Sequence, residues 1–343
     1  MEHRLASRLG VLVAALIIAG CGGSTPPPTT SAGPTANSTL PTLAATAAPE
    51  LTSAPPATPL APLTGRILFS GLSAKDSFGS IFVINADGSG LVKLTGSQGG
   101  GQPAWSPSGS QVVFLRSDGI WVMNADGSQP RRIHHLATMD DQWPVWSPDG
   151  EQIAFLEAPR CAPCSIGMTW ALKVMNADGS GLRKVTDTPS PERPTFSPDG
   201  RSIVFSGQWD DPPTPANGLQ SIRLDGTGQR QLTTGRDSSP AFSKDGRIAF
   251  LRNSAEAADG TILYSVVVAS ADGSAPHEVH LPFVGEAPLA WSPDGSRIAL
   301  TGIGSLPIVH IGQWDIWIIR PDGTAAARLT NTPDLDEGFA AWH

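Results

Sequence analysis

The sequence predicts an all-β fold, a six-bladed β-propeller of four-stranded blades, and three observations carry that prediction. The stretch LAWSPDGSRIAL, from Leu289 to Leu300, reads as strand, tight turn and strand, and five further copies, whole or degraded, recur along the 343-residue chain. Each copy belongs to a cycle of four apolar segments repeating every 40 to 50 residues or so, roughly the period of propeller blades. The composition agrees, because 37 Gly and 32 Pro favour many short strands joined by turns, with 10 Trp against a single Tyr.

From the N-terminus, Arg4 and Arg8 precede the apolar run Val11 to Gly20, which has the length of a secretory signal and is too short to span a bilayer as a mature helix. The run ends at Ile18-Ala19-Gly20-Cys21. Small residues before a cysteine resemble the lipobox of bacterial lipoproteins. That resemblance implies a signal peptide over residues 1–20, cleavage before Cys21, and a diacylglyceryl group with further acylation on Cys21. The alternative is an ordinary cleaved signal with an incidental cysteine. Two or more acyl chains hold a protein at a membrane where one does not, so the chain is expected to be exported and lipid-anchored at the bacterial cell membrane or envelope.

Residues 21–64 form a tether of Thr, Pro, Ser, Ala and Gly, with Glu50 the only charge between Gly22 and Thr64. Such a composition cannot bury a core and is expected to stay disordered, spanning on the order of 35 Å as a flexible coil. Asn37-Ser38-Thr39 is a sequon, with an unmodified spacer as the alternative. Apart from Cys21, the cysteines are Cys161 and Cys164 in RCAPCS. Outside the cytoplasm the pair is most simply a small-loop disulfide; two free thiols and a metal pair are the alternatives.

Residues 65–343 carry the propeller. The first segment of each cycle is marked by Trp105, Trp146, Phe196, Phe242, Trp291 and Trp342. The second contains Phe69, Phe114, Phe155, Phe205, Phe250 and Leu300, and the third ends in an Asp-Gly turn at Gly88, Gly127, Gly179, Gly226, Gly273 and Gly323. A short fourth segment follows, as in LVKLT and ARLT. In SPDG the proline presets φ, the aspartate can accept from the backbone ahead of it, and the glycine takes the left-handed position. One carboxylate per turn is far short of the oxygens calcium needs.

The order WSPDGxxIAF, VMNADGS, LT resembles the WD-like propeller repeat of the TolB family. The resemblance covers essentially residues 65–343 and implies the propeller scaffold. Proteins named TolB carry an α/β domain ahead of the propeller, where this chain has its tether, so their envelope role does not transfer with the repeat. Some similar propellers are joined to a peptidase domain, and others act as sugar lyases with a metal in the channel.

The two ends of the repeat are complementary. GRILFS matches a second strand and FAAWH a first strand, so Ala340 to His343 should pair beside Arg66 to Ser70 and close the ring without an open edge. Alternating strand direction puts the SPDG and NADG turns on one face, and the long connections between second and third strands on the other with those between blades. Loops on a rigid scaffold are where binding usually resides.

Five residues before the first-strand aromatic lie Asp141, Asp237, Glu286 and Glu337, and four before it lies Glu192. These five carboxylates are the candidate partner-binding residues, expected to form a negative funnel at the channel mouth for a protein or a basic or cationic ligand. The alternative is that they only keep an acidic protein soluble. Trp143, Trp170, Trp209 and Trp314 sit in or beside the irregular loops as further anchors, whereas Trp121 and Trp317 read as core. The adjacent His134 and His135 point to opposite sides of a strand, against a shared metal. A net charge of −8 without a basic cluster argues against nucleic acid. The chain lacks GxSxG, HExxH and P-loop motifs. The expectation is therefore a monomeric, non-catalytic binding scaffold with no cofactor, and the alternative is a metal-dependent sugar lyase using the channel.

Overall fold

The computed structural model describes residues 63–73, 79–135, 142–157, 170–188, 193–207, 217–256, 262–281, 284–303 and 314–343. Cys21, Cys161 and Cys164 lie outside them. The described residues fall in the compact unit Pro62–His343 and form six four-stranded antiparallel sheets, without helices. Blade one contains β1 (Arg66–Ser73), β2 (Ser80–Asn85) and β3 (Val92–Lys93). Blade two is β4 (Gly101–Trp105), β5 (Gln111–Arg116), β6 (Gly119–Asn124) and β7 (Arg131–His135). Blade three is β8 (Gln142–Trp146), β9 (Gln152–Glu157), β10 (Trp170–Asn176) and β11 (Arg183–Thr188). Blade four is β12 (Thr195–Phe196), β13 (Ser202–Ser206), β14 (Leu219–Arg223) and β15 (Arg230–Gln231). Blade five is β16 (Asp237–Phe242), β17 (Arg247–Glu256), β18 (Ile262–Ser270) and β19 (His277–Val279). Blade six is β20 (Val284–Trp291), β21 (Ile298–Ile303), β22 (Asp315–Ile319) and β23 (Ala326–Arg328). The last strand, β24 (Leu335–Trp342), returns to blade one, whose order is β24-β1-β2-β3.

The predicted closure is therefore observed: Ile67 lies opposite Trp342, Leu68 opposite Ala341 and Ser70 opposite Gly338. The Arg66 amide donates to the His343 carbonyl at 2.6 Å and the His343 amide returns a bond to Arg66 at 2.9 Å. The Trp342 indole donates to the Thr64 carbonyl at 3.0 Å.

Apolar alternation explains where the core sits. Phe69, Phe114, Phe155, Phe205, Phe250 and Leu300 occupy one position of successive second strands and are at most 2% exposed. Each contributes about 1.5–3 kcal/mol by burial. The core consists of apolar clusters that bridge neighbouring blades. One joins Leu156 and Leu172 of blade three to Phe196 and Phe205 of blade four, and another joins Ile67 and Phe69 of blade one to Ile316 and Ile318 of blade six. No blade buries its faces alone, so the ring is one cooperative unit.

The repeated turn motif has a staple that includes its serine. Ser147 Oγ donates to Asp149 Oδ1 at 2.5 Å and accepts the Gln152 amide at 2.8 Å, while Asp149 Oδ1 accepts the Glu151 amide at 2.9 Å. The Ser292 and Asp294 turn repeats this pattern. The serine hydroxyl and the backbone amide hold the Asp149 carboxyl below its ordinary range. The terminal LT of the repeat is explained likewise: the hydroxyls of Thr95, Thr233 and Thr330 accept the amides of Ile81, Leu219 and Ile316 at 2.8–2.9 Å.

Both hairpin turns of a blade lie on one face, joined by backbone bonds such as Ala125 to Ser110 and Ala177 to Glu151, each 2.9 Å. The NADG glycine also fits the preceding blade. Gly179 has φ 94° and a Cβ there would lie 2.0 Å from the Ile133 carbonyl of β7, so glycine is required twice over.

Candidate functional site

The innermost strands β4, β8, β12, β16, β20 and β24 surround the channel, and most share an irregularity. Register shifts occur between Gly101 and Ala104, Gln142 and Val145, Ser238 and Ala241, and Glu286 and Ala290, and opposite β24 between Leu68 and Ser70. Such bulges re-aim side chains. The residues concerned lie three before the inner aromatic: Gln102, Trp143, Arg193, Ser239 and Pro288, with Phe339, whose side chain lies outside the described residues, at the sixth place. Gln102 has φ 50°, Trp143 62° and Ser239 53°, a left-handed backbone that L residues adopt at a cost.

Four of these converge. Gln102, Trp143, Arg193 and Pro288, with Pro103 and Pro144, line one narrow cavity on the axis, contributed by blades two, three, four and six. The Trp143 amide donates to Gln102 Oε1 at 2.6 Å, tying blade three to blade two. The Gln102 amide in turn donates to Ser70 Oγ of blade one at 3.0 Å. Arg193 keeps some solvent contact, yet its surroundings withhold enough water to lower its pKa to about 10.

The predicted carboxylates divide. Asp237 is fully buried, and both its oxygens are taken by Arg252 of β17, Nε at 2.7 Å and Nη2 at 2.8 Å. Glu337 is 3% exposed and accepts from Thr332 Oγ1 at 2.7 Å, the Ile316 amide at 3.1 Å and the Thr330 hydroxyl. Burial raises its pKa to about 7 against these bonds. The expectation of solvent-facing charges is thus corrected at Asp237 and Glu337: both carboxylates are turned into the blades, where strand side chains and backbone satisfy them. Asp141 and Glu192 lie outside the described residues. Glu286 lies in β20 opposite Thr301, and its side chain is outside them.

The tryptophan expectations also divide. Trp170 and Trp314 are buried, Trp143 lines the channel, and Trp209 lies outside the described residues. Trp121 and Trp317 are half-buried against the core, with indoles bonded to Asp118 at 2.9 Å and to the Gly302 carbonyl at 3.2 Å. His134 packs on Phe155 at 5.3 Å, and burial lowers its pKa, whereas His135 is exposed. Among the described residues no three His, Cys, Asp or Glu side chains converge as a metal site.

A larger cavity of about 570 Å³ opens on the turn face between blades five and six, lined by Arg247, Arg297 and Arg320, the last with its Nε buried and unpartnered. Arg247 holds Asp245 and the Gly295 carbonyl and stacks on Trp291, and Arg297 holds the Ser296 carbonyl. The channel is the stronger candidate because residues of four blades, two of them with left-handed backbone, converge there. Sequence reasoning missed Gln102, Arg193, Ser239 and Pro288, although the alignment that located the carboxylates passes through them two residues later.

The TolB beta propeller domain model matches residues 44–245. The chain belongs to the TolB beta-propeller family. Among solved structures, TolB from Acinetobacter baumannii aligns at TM-score 0.65 and 15% identity, over 81% of this chain and 66% of that one. The putative TolB from Agrobacterium tumefaciens aligns at 0.58 and 16%, over 82% and 99%. An oligogalacturonate lyase in complex with manganese aligns at 0.54 and 13%, over 78% and 74%. At such identities these likenesses show the fold alone. No curated protein matches in sequence. The chain spans just under two thirds of the A. baumannii TolB structure.

Proposed function

We propose that this TolB-type propeller is a non-catalytic binding scaffold of the bacterial envelope, exported and held at a membrane by acylated Cys21, which engages its ligand through the channel and the face opposite the turns. The observation that carries this reading is the channel lining. Three non-glycine residues at equivalent or near-equivalent places adopt φ of 50–62°, and two of them, Gln102 and Trp143, line the axial cavity. Strain of this kind clusters at ligand sites because the surrounding fold must hold it. The family and the lipobox resemblance support an extracytoplasmic place.

The test is site-specific photocrosslinking on intact cells. A crosslinker at exposed Ser117, in the tight β5–β6 turn of the ligand face, should capture a defined species that one at exposed Asp199, on the turn face, does not. Equal capture from both faces, or capture from neither, would overturn the reading. Cys21→Ser should move the protein from the membrane to the soluble fraction, and continued membrane retention would remove the acyl anchor.

A further inference from the structure

The turn face carries a pair of charges that no other blade repeats. In each blade a residue at the start of the second strand stands opposite one at the end of the third: Arg66 with Asn85, Gln111 with Asn124, Gln152 with Asn176, Ser202 with Arg223 and Arg247 with Ser270. In blade six Ile298 pairs with Ile319, which sets Arg297 across from Arg320 one step further out. Only blade six has arginine at both places, and both arginines line the cavity of about 570 Å³. Like charges placed directly opposite destabilise a sheet.

The fold does not neutralise this pair. Arg297 is 9% exposed, and its guanidinium bonds through Nη1 to the Ser296 carbonyl at 2.7 Å. Arg320 has its Nε buried without a partner and a long contact, 3.4 Å, from Nη1 to Thr324 Oγ1. Among the described residues neither guanidinium forms an ion pair. Asp294 accepts from Ser292 and Ser296, Asp322 accepts from Thr324 and acts on Arg320 through charge alone, and the third arginine of the lining, Arg247, is paired with Asp245. A buried charge without a counter-charge is costly, and a ligand of opposite sign removes that cost.

Pro321 removes a tie that holds the two turns together elsewhere. In blades two, three and four the amides of Ala125, Ala177 and Leu224 donate to the carbonyls of Ser110, Glu151 and Arg201. Pro321 takes the corresponding place in blade six and has no N–H, so the Ser296 carbonyl takes Arg297 instead.

Size and donors set the class of ligand. The cavity falls in the range of small organic ligands, roughly 300–1,000 Å³. Two guanidiniums side by side offer more N–H groups and more charge than a carboxylate uses. A phosphomonoester carries three free oxygens and a charge of about −1.5 to −2, which matches them, whereas a phosphodiester carries a single charge. Pro321 and the exposed Asp322 carboxylate border the remaining space, the latter with an oxygen free for hydroxyl groups.

We infer that the turn-face cavity between blades five and six binds a small organic phosphate, its phosphomonoester group held between Arg297 and Arg320 and its hydroxylated body against Pro321 and Asp322. This site goes beyond the channel-face reading and does not depend on it.

Calorimetric titration of the full-length protein tests it with four probes: glycerol phosphate, glycerol, inorganic phosphate, and glycerophosphoglycerol, the soluble form of a lipid headgroup. Glycerol phosphate should bind at least about tenfold more tightly than glycerol or the diester. Inorganic phosphate should displace it. Arg297→Gln and Arg320→Asn install the residues that blades two and three carry at those places, and each should weaken glycerol phosphate about tenfold or more. Arg223→Gln, which removes a lone arginine from the same face, should leave the affinity within about twofold. Equal binding of glycerol phosphate and glycerol, equal binding of the diester, failure of phosphate to compete, or an equal loss in Arg223→Gln would each overturn the assignment. A readout needing no variant is the melting temperature of the wild type, which glycerol phosphate should raise and glycerol should not. If glycerol phosphate fails to bind while Ser117 still captures its species, this site falls and the scaffold reading stands. If it binds and Ser117 captures nothing, the reverse holds.

Discussion

The two faces of the ring solve the same problem by different means. On the turn face each serine–aspartate staple is satisfied within a few residues, as Ser147, Asp149 and Gln152 satisfy one another. On the channel face the partners come from other strands or other blades: Asp237 reaches Arg252, Glu337 reaches Thr330, Thr332 and Ile316, and Gln102 reaches Trp143. Local satisfaction makes each turn a repeated module, and neighbouring blades fit against it at single points such as Ile133 at Gly179. Long-range satisfaction makes the channel face depend on the ring being closed.

The first way to break this contrast is to open the ring. Trp342 ends β24, is 9% exposed and bonds through its indole to the Thr64 carbonyl at 3.0 Å. Trp342→Ala should cost about 3–5 kcal/mol. Removing residues 340–343 should cost more, because it also strips the backbone bonds to Arg66. Thermal unfolding checks both variants. A melting curve unchanged by the deletion would mean that the channel face does not need closure.

The second concerns the turn face, where a smaller and strictly local effect is expected. Gly179 and Gly246 have nearly the same backbone, φ 94° and 88°, but different surroundings. A Cβ at Gly179 would meet the Ile133 carbonyl at 2.0 Å, whereas one at Gly246 would meet nothing within 4 Å. Gly246→Ala should cost only the left-handed strain, about 1 kcal/mol, and Gly179→Ala roughly 3 kcal/mol once blades two and three are forced apart. Equal losses in urea unfolding would show that the interblade contact contributes nothing.

The contrast also explains what the sequence discloses. SPDG and NADG are legible because their physics is local: the aspartate, the glycine and the serine that completes the staple lie within about six residues. Closure was legible too, since GRILFS and FAAWH each lack the strand the other supplies. The burial of Asp237 and Glu337 was not legible, because Arg252 lies on the next strand and Thr330 precedes the turn into β24, and nothing in an acidic loop residue distinguishes a funnel from a buried pair. The channel lining stayed hidden for another reason. Gln102, Trp143, Arg193, Ser239 and Pro288 share a place but not a chemistry, so only their common distance from the inner aromatic could reveal them.

The smallest effect sharpens the comparison through pH. Asp149 and its counterparts on the turn face have pKa values held down by serine hydroxyls and backbone amides, so their contribution is present above about pH 4 and is lost as pH falls through the folded values. Glu337 behaves oppositely. Its folded pKa, about 7, lies above its ordinary 4.5, so the folded state binds the proton more tightly than the unfolded chain. Stability from this group therefore falls as pH rises from about 4.5 to about 7 and then levels off, a change on the order of 1–3 kcal/mol. Asp315, raised by burial, acts in the same direction. Urea unfolding from pH 5 to pH 8 should show the wild type losing stability, and Glu337→Gln should flatten the slope while the loss below pH 4 remains. A slope unchanged by Glu337→Gln would place the titration elsewhere. If the slope vanished together with the acid-side loss, the two faces would not respond independently.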